Sequence, residues 1–69
     1  MSVQKRLVEL RGDRSQREVA EAVGVAPSTL SMYEMGERTP SDSVKVKLAE
    51  LYGKSVGYIF FDEPDTLSD

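Results

Sequence analysis

A reactive site needs groups that can take or give protons or electron pairs, and this chain is short of them. It has no histidine and no cysteine. Its carboxylates do not cluster at spacings suited to acid–base work or metal binding. A general base, a nucleophile or a metal centre has little to be built from. No enzyme activity, cofactor, metal or small-molecule ligand is expected. What the sequence does offer are groups that bind: the guanidinium groups of Arg14, Arg17 and Arg38, and the hydroxyls and thioethers of the segment Pro27–Met35.

That segment has two unlike sides. At about 100° per residue, counted from Pro27, Leu30 and Tyr33 fall on one side of a helix. Pro27, Ser28, Ser31, Met32 and Met35 fall on the other, and none of them is charged. A solvent-facing helix surface normally carries lysine and glutamate. An uncharged outer face of short polar and flexible apolar groups implies contact with a partner.

The elements that must position this face can be read from caps and periodicity. A first helix is expected over about Val3–Arg11, with Val3, Leu7, Val8 and Leu10 at helical spacing and Gly12 closing it. Ser15-Gln16-Arg17-Glu18 has the form of a capping box and opens a second helix that runs to Val23. Pro27 suits the first position of a third helix, because its missing amide donor would be unpaired there. That helix ends at Gly36, and Glu37-Arg38-Thr39-Pro40 is a turn. A fourth helix spans about Ser41–Tyr52, with Val44, Leu48, Leu51 and Tyr52 on one face. Ser55 caps a short fifth piece, Val56–Phe61. The second and third helices meet the demands of a tight turn together. Val19, Val23, Leu30 and Tyr33 are core positions, Ala20 is small enough for close approach, and Gly24 can turn left-handed with Val25 directly behind it. Each residue alone says little; the set at this spacing specifies two helices joined by a short turn.

Size and charge set the outer bounds. A chain of 69 residues is one domain that folds with little margin, and without cysteine no disulfide or thiolate metal site adds to it. The net charge of −3 is unevenly placed: Asp62, Glu63, Asp65 and Asp69 are four of the twelve acids, so residues 1–61 hold nine basic against eight acidic groups, a net of +1. The stretch 62–69 is expected to be an acidic, disordered tail, and residues 1–61 the folded domain. Met1–Arg6 has no apolar run behind its basic residues, which argues against a signal peptide. No stretch approaches transmembrane length, and a cytoplasmic location is expected.

At the level of motif the chain resembles a known family. Ser15-Gln16-Arg17-Glu18-Val19-Ala20 through Gly24-Val25, then Ser28-Thr29-Leu30-Ser31 and Tyr33-Glu34-Met35-Gly36, with Thr39-Pro40-Ser41 following, resemble the phage repressor/Cro-like (XRE-type) helix-turn-helix family over about residues 3–61. The resemblance implies an all-α, compact five-helix repressor-like domain. It implies double-stranded DNA as partner, read by a two-fold homodimer with the third helix in the major groove, and a role as a transcriptional regulator, most often a repressor. It puts Pro27, Ser28 and Met32 at the family's base-reading positions, with Ser31 on the same face. It makes Gln16 the glutamine that bonds a backbone phosphate and braces the recognition helix. Arg11 and Glu34 become the pair tying the first helix to the third, although the connection from Arg11 to Ser15 is shorter than is commonest in the family. The base-reading positions also lack the Arg, Gln or Asn that make bidentate contacts to purines.

Around that helix, Arg14 and Arg17 at the start of the second helix and Arg38 with Thr39 in the turn after the third are placed to reach phosphates. Lys5, Arg6, Lys45 and Lys47 read as solvated charges. In Tyr58-Ile59-Phe60-Phe61, Ile59 and Phe60 are expected to complete the core. Tyr58 and Phe61 are expected to stay exposed and contribute to a dimer contact. The alternative is a protein-interaction module of the same fold, such as an antitoxin or antirepressor. The acidic tail and the weakly polar third helix favour that alternative; Gln16, Arg17 and Arg38 favour DNA.

Overall fold

The computed structural model describes residues 3–61; the acidic stretch 62–69, like Met1 and Ser2, lies outside the described residues. Five helices follow one another: α1 Val3–Arg11, α2 Gln16–Val23, α3 Pro27–Met35, α4 Asp42–Tyr52 and α5 Val56–Phe60. No strand occurs among the described residues. None of these helices is long and apolar enough to cross a membrane.

The boundaries follow from where orphaned amides find acceptors. Ser15, Ser41 and Ser55 each sit in extended backbone one residue before a helix, and each hydroxyl accepts an amide three residues on: Glu18 at 3.0 Å, Val44 at 3.4 Å and Tyr58 at 3.0 Å. α3 begins differently. Ala26 gives no side-chain cap, and Pro27 at the first position has no amide to satisfy. α5 stops at Phe60, one residue short of expectation, because Phe61 has already left helical geometry at φ −125°.

Gly24 ends α2 with φ +79°, and the amides of Gly24 and Val25 both return to the Ala20 carbonyl. This closes the last turn of α2 and aims the chain into α3. A Cβ at Gly24 would meet only the Lys47 ammonium, at 3.9 Å. The glycine is therefore demanded by backbone conformation and not by crowding. Gly36 is crowded as well as left-handed: a Cβ there would come within 2.7 Å of the Gln4 side-chain nitrogen, so α1 lies close against the end of α3.

The core joins all five helices. Leu7, Val19, Ala20, Val23, Leu30, Tyr33, Leu48, Ala49 and Ile59 are buried, with Ala20 fully so where α2 and α3 pack. The four expected core positions of the α2–α3 pair are all inside, and Val25 packs half-buried at the edge. Val8 and Val46 are exposed, since helices this short cannot turn every apolar residue inward.

Three sequence expectations need correction here. Arg6 is not a solvated charge but buried, and its Nη1 donates to the carbonyls of Tyr58 and, at 3.4 Å, Ile59. The reason is that the last carbonyls of α5 have no partner within their own helix. A guanidinium from α1 reaches them and also meets the negative end of the helix dipole. Tyr58 does not stand exposed: it is half-buried against the core, with the Arg6 guanidinium 5.1 Å and the Lys54 ammonium 5.4 Å from its ring centroid. Lys45 is half-buried, its ammonium 5.6 Å from the Phe60 ring and 5.1 Å from the Phe61 ring. Ile59 is buried, Phe60 half-buried and Phe61 exposed; Lys5 and Lys47 are exposed.

Substituting the turn glycine tests the frame. Gly24→Val is expected to cost about 1–2 kcal/mol through left-handed strain. That lowers Tm by roughly 4–8 °C for each kcal/mol at this size. An unchanged calorimetric Tm would mean that the chain turns without help from this residue.

Candidate nucleic-acid interface

α3 is held from behind by a buried carboxylate. Glu34 lies on its inner side with the side chain 4% exposed, and accepts from two other helices. Arg11 at the end of α1 donates through Nε to Glu34 Oε2 at 2.7 Å, and Gln16 at the start of α2 donates through Nε2 to Oε1 at 2.9 Å. The shorter connection before Ser15 thus does not prevent the pair. Arg11 Nη1 donates to the Arg14 carbonyl at 2.9 Å, and the Arg14 amide returns to the Arg11 carbonyl at 3.2 Å. This tight local closure is what the missing length allows. The hydrogen bond to Glu34 raises the Arg11 pKa further, against an opposing effect of burial.

With Glu34 turned inward, the outer side of α3 has no charge, because Glu34 is the only ionisable carboxylate or cation in that helix. Pro27, Ser28 and Met35 are exposed, and Ser31 and Met32 are half-buried on the same side. The Ser31 hydroxyl is within 3.8 Å of the Met35 sulfur, to which it donates. Ser28 makes no such internal bond among the described residues. Leu30 and Tyr33 face the core, as the helical period requires.

The cations expected beside this face differ in how they are held. Arg17 is exposed, with Nε 3.5 Å from Glu21 in a pair whose side chains are 80% and 69% exposed. Such a pair is screened and worth little, so Arg17 is available to a stronger anion. Arg38 and Thr39 are exposed in the turn between α3 and α4, next to buried Pro40. Arg14 is half-buried, its guanidinium 5.7 Å from the centroid of the Tyr52 ring in the last turn of α4. Gln16 is half-buried, and its bond to Glu34 uses one of its two amide hydrogens, leaving the other and its carbonyl oxygen. Among the candidates, Arg11, Gln16 and Glu34 come together in one network. Ala20 and Gly24 occupy the structural positions expected of them.

Tyr52 was legible in sequence only as a core position on α4. Burial pushes its phenol up to about 12; the Glu34 charge adds to this, while Arg11 and Arg14 oppose it. Its hydroxyl is buried and has no hydrogen-bond partner among the described residues.

The network should dominate stability. Glu34→Ala leaves a guanidinium and a carboxamide without their acceptor. Breaking a buried pair costs about 3–5 kcal/mol, and the partial exposure of Arg11 places this case at the low end. Urea unfolding is expected to show a loss of about 3 kcal/mol with little change in slope. A loss under about 1 kcal/mol would mean that the carboxylate is peripheral.

A helix-turn-helix family model matches residues 5–59, from the first turn of α1 to the buried Ile59. A search of the curated proteins found no match for the chain. With the five-helix order, the left-handed turn at Gly24 and the Arg11–Glu34–Gln16 brace in place, the chain belongs to the phage repressor/Cro-like (XRE-type) helix-turn-helix family of DNA-binding transcription regulators.

Proposed function

We propose that this regulator acts as a repressor, binding operator DNA as a two-fold dimer with α3 of each subunit in the major groove. One observation carries the reading. The outer side of α3 is free of charge, and the chain carries Arg14 just before α2, Arg17 in the first turn of α2 and exposed Arg38 in the turn after α3. An uncharged face loses little hydration energy when it enters a groove, while guanidinium groups at its edges meet the phosphates that line it.

Roles follow from chemistry. Arg14, Arg17, Arg38, Thr39 and the remaining amide hydrogen of Gln16 bind phosphates. The amides at the starts of α2 and α4 add to this through the helix dipole. Pro27, Ser28, Ser31 and Met32 meet base edges. Pro27 and Met32 offer only apolar surface, and the apolar group in the major groove is the thymine methyl. Ser28 offers a hydroxyl that both donates and accepts, and Ser31 does so on giving up its contact with Met35. Direct readout therefore favours thymine-bearing steps and stays near the low end of about 1–3 kcal/mol per wrong base. DNA shape and half-site spacing supply the rest. Phe61, exposed just after α5, is the proposed start of the dimer contact. Occupancy of both half-sites would repress by excluding polymerase from overlapping DNA.

Arg17→Ala and Arg38→Ala are expected to weaken binding to every duplex alike, each lowering the salt slope by about one unit with folding unchanged. An affinity loss with an unchanged slope would remove these side chains from the backbone.

Selection of a bound site followed by footprinting is expected to show two protected half-sites roughly 10 base pairs apart, centre to centre. Replacing thymine by uracil should weaken binding at one or more positions in each half-site. A single half-site protected at saturation would overturn the dimer, and affinity indifferent to every uracil would overturn the readout. No duplex binding at low salt, with a protein partner captured instead, would turn the reading to an interaction module.

A further inference from the structure

Arg14 occupies a position where a guanidinium would be useful only if held still. It stands one residue before Ser15, the cap of α2, beside the free amides of that helix start. Its backbone is fixed from Arg11 through two hydrogen bonds. Its side chain has no carboxylate partner among the described residues: the ion pairs of the neighbouring arginines go from Arg11 to Glu34 and from Arg17 to Glu21. What it has is the face of Tyr52, 5.7 Å from guanidinium carbon to ring centroid. A long side chain with many rotamers loses much freedom when it binds a phosphate, and holding it in advance removes that cost from the binding step.

Tyr52 itself is hard to account for as core filling. Its hydroxyl is buried without a partner, a cost that a leucine or phenylalanine would avoid. A leucine would fill the same edge of the core but would present no π face. The direction in which nearby charges move the phenol is consistent with its place: Arg14 and Arg11 favour the tyrosinate, while Glu34 and burial outweigh them. We infer that Tyr52 is a positioning residue for DNA binding: its ring parks the Arg14 guanidinium beside the start of α2, ready for a backbone phosphate. The inference rests on the duplex-binding reading above and goes beyond it by adding a residue on α4 that does not itself touch DNA.

An arginine held by a ring keeps its full charge and all its donors, whereas an ion-paired one must first give up its carboxylate. Parking on Tyr52 therefore orders Arg14 without neutralising it. Such a contact is broken or kept by the ring, not by the hydroxyl, and this makes the inference testable by substitution.

The test uses the full chain, a random-sequence 20-base-pair duplex at several salt concentrations, and the variants Arg14→Ala, Tyr52→Phe, Tyr52→Leu and the double variant Arg14→Ala/Tyr52→Leu. Thermal unfolding is measured for each, with binding read at a temperature where all are folded. Arg14→Ala is expected to lower the salt slope by about one unit. Tyr52→Leu is expected to weaken binding about two- to fivefold, the range of an exposed cation–π contact. Tyr52→Phe should bind like the original chain. In the Arg14→Ala background, Tyr52→Leu should have no further effect. In the free original chain, the Arg14 Cδ protons should show an upfield ring-current shift that survives Tyr52→Phe, a readout that needs neither DNA nor a folded Tyr52→Leu variant; its absence from the original chain would overturn the inference.

Three results would overturn the inference: Tyr52→Leu binding as tightly as the original, Tyr52→Leu weakening the Arg14→Ala protein equally, or Tyr52→Phe failing as badly as Tyr52→Leu. An Arg14→Ala slope that stays unchanged while Arg17→Ala and Arg38→Ala lower theirs would also overturn it, leaving the duplex reading intact. An original chain that binds no duplex even at low salt would overturn that reading itself.

Discussion

The structure depends on a single carboxylate. Glu34 is almost wholly buried, and both of its oxygens are bonded, one to Arg11 of α1 and the other to Gln16 of α2. A buried charge is tolerated only when its partners are good and its lone pairs are used. Once those conditions are met, the angle of α3 is tied to two other helices at once. The apolar core alone would not do this. The apolar contacts of Leu30 and Tyr33 in the core have no preferred direction of their own. Two hydrogen bonds of 2.7 and 2.9 Å do have direction, and they hold the helix in one orientation.

The cations of the chain divide according to what lies near them. Arg6 and Arg11 are spent inside the fold, on the open end of α5 and on Glu34. Lys45, Lys54 and Arg14 lie over aromatic rings, where they stay charged but lose freedom. Arg17 and Arg38 are exposed. A count of basic residues over 1–61, with its net of +1, conceals this sorting. For an electrostatic partner the number of charges matters less than which of them remain available and where they stand.

The same sorting explains what could be read from the chain and what could not. Ser15, Ser41, Ser55, Pro27 and Gly24 act on backbone within about four residues, so their effect is visible in a local window. The helix limits followed to within a residue. The outward side of α3 was likewise legible, because 100° per residue needs no knowledge of neighbours. Arg6 was not legible: the carbonyls it serves belong to Tyr58 and Ile59, 52 and 53 positions away, and no local pattern says which helix end will be left open against α1. The burial of Tyr58 has the same origin seen from the other side, since the Arg6 guanidinium reaches its ring only through the packing of α1 on α5. The period of α4 marks Tyr52 as a core position, and it packs there; that its ring also faces Arg14 depends on where α4 ends relative to the connection before α2.

The outer side of α3 gives the bracing its purpose in the proposed complex. A helix bearing Arg, Gln or Asn at its base-reading positions can tolerate some freedom of placement, since long bidentate side chains reach for their bases. Pro27 and Ser28 are short and cannot reach. Met32 is flexible but offers only apolar contact. With such groups, whether a methyl or a hydroxyl is touched depends on the position of the helix axis itself. Positional accuracy must then come from the backbone of α3 and from what holds it: the left-handed turn at Gly24, the close approach of α1 at Gly36, and above all the two bonds to Glu34. A recognition surface with little reach therefore requires a rigid mount, and this domain places its most directional interactions where they supply one.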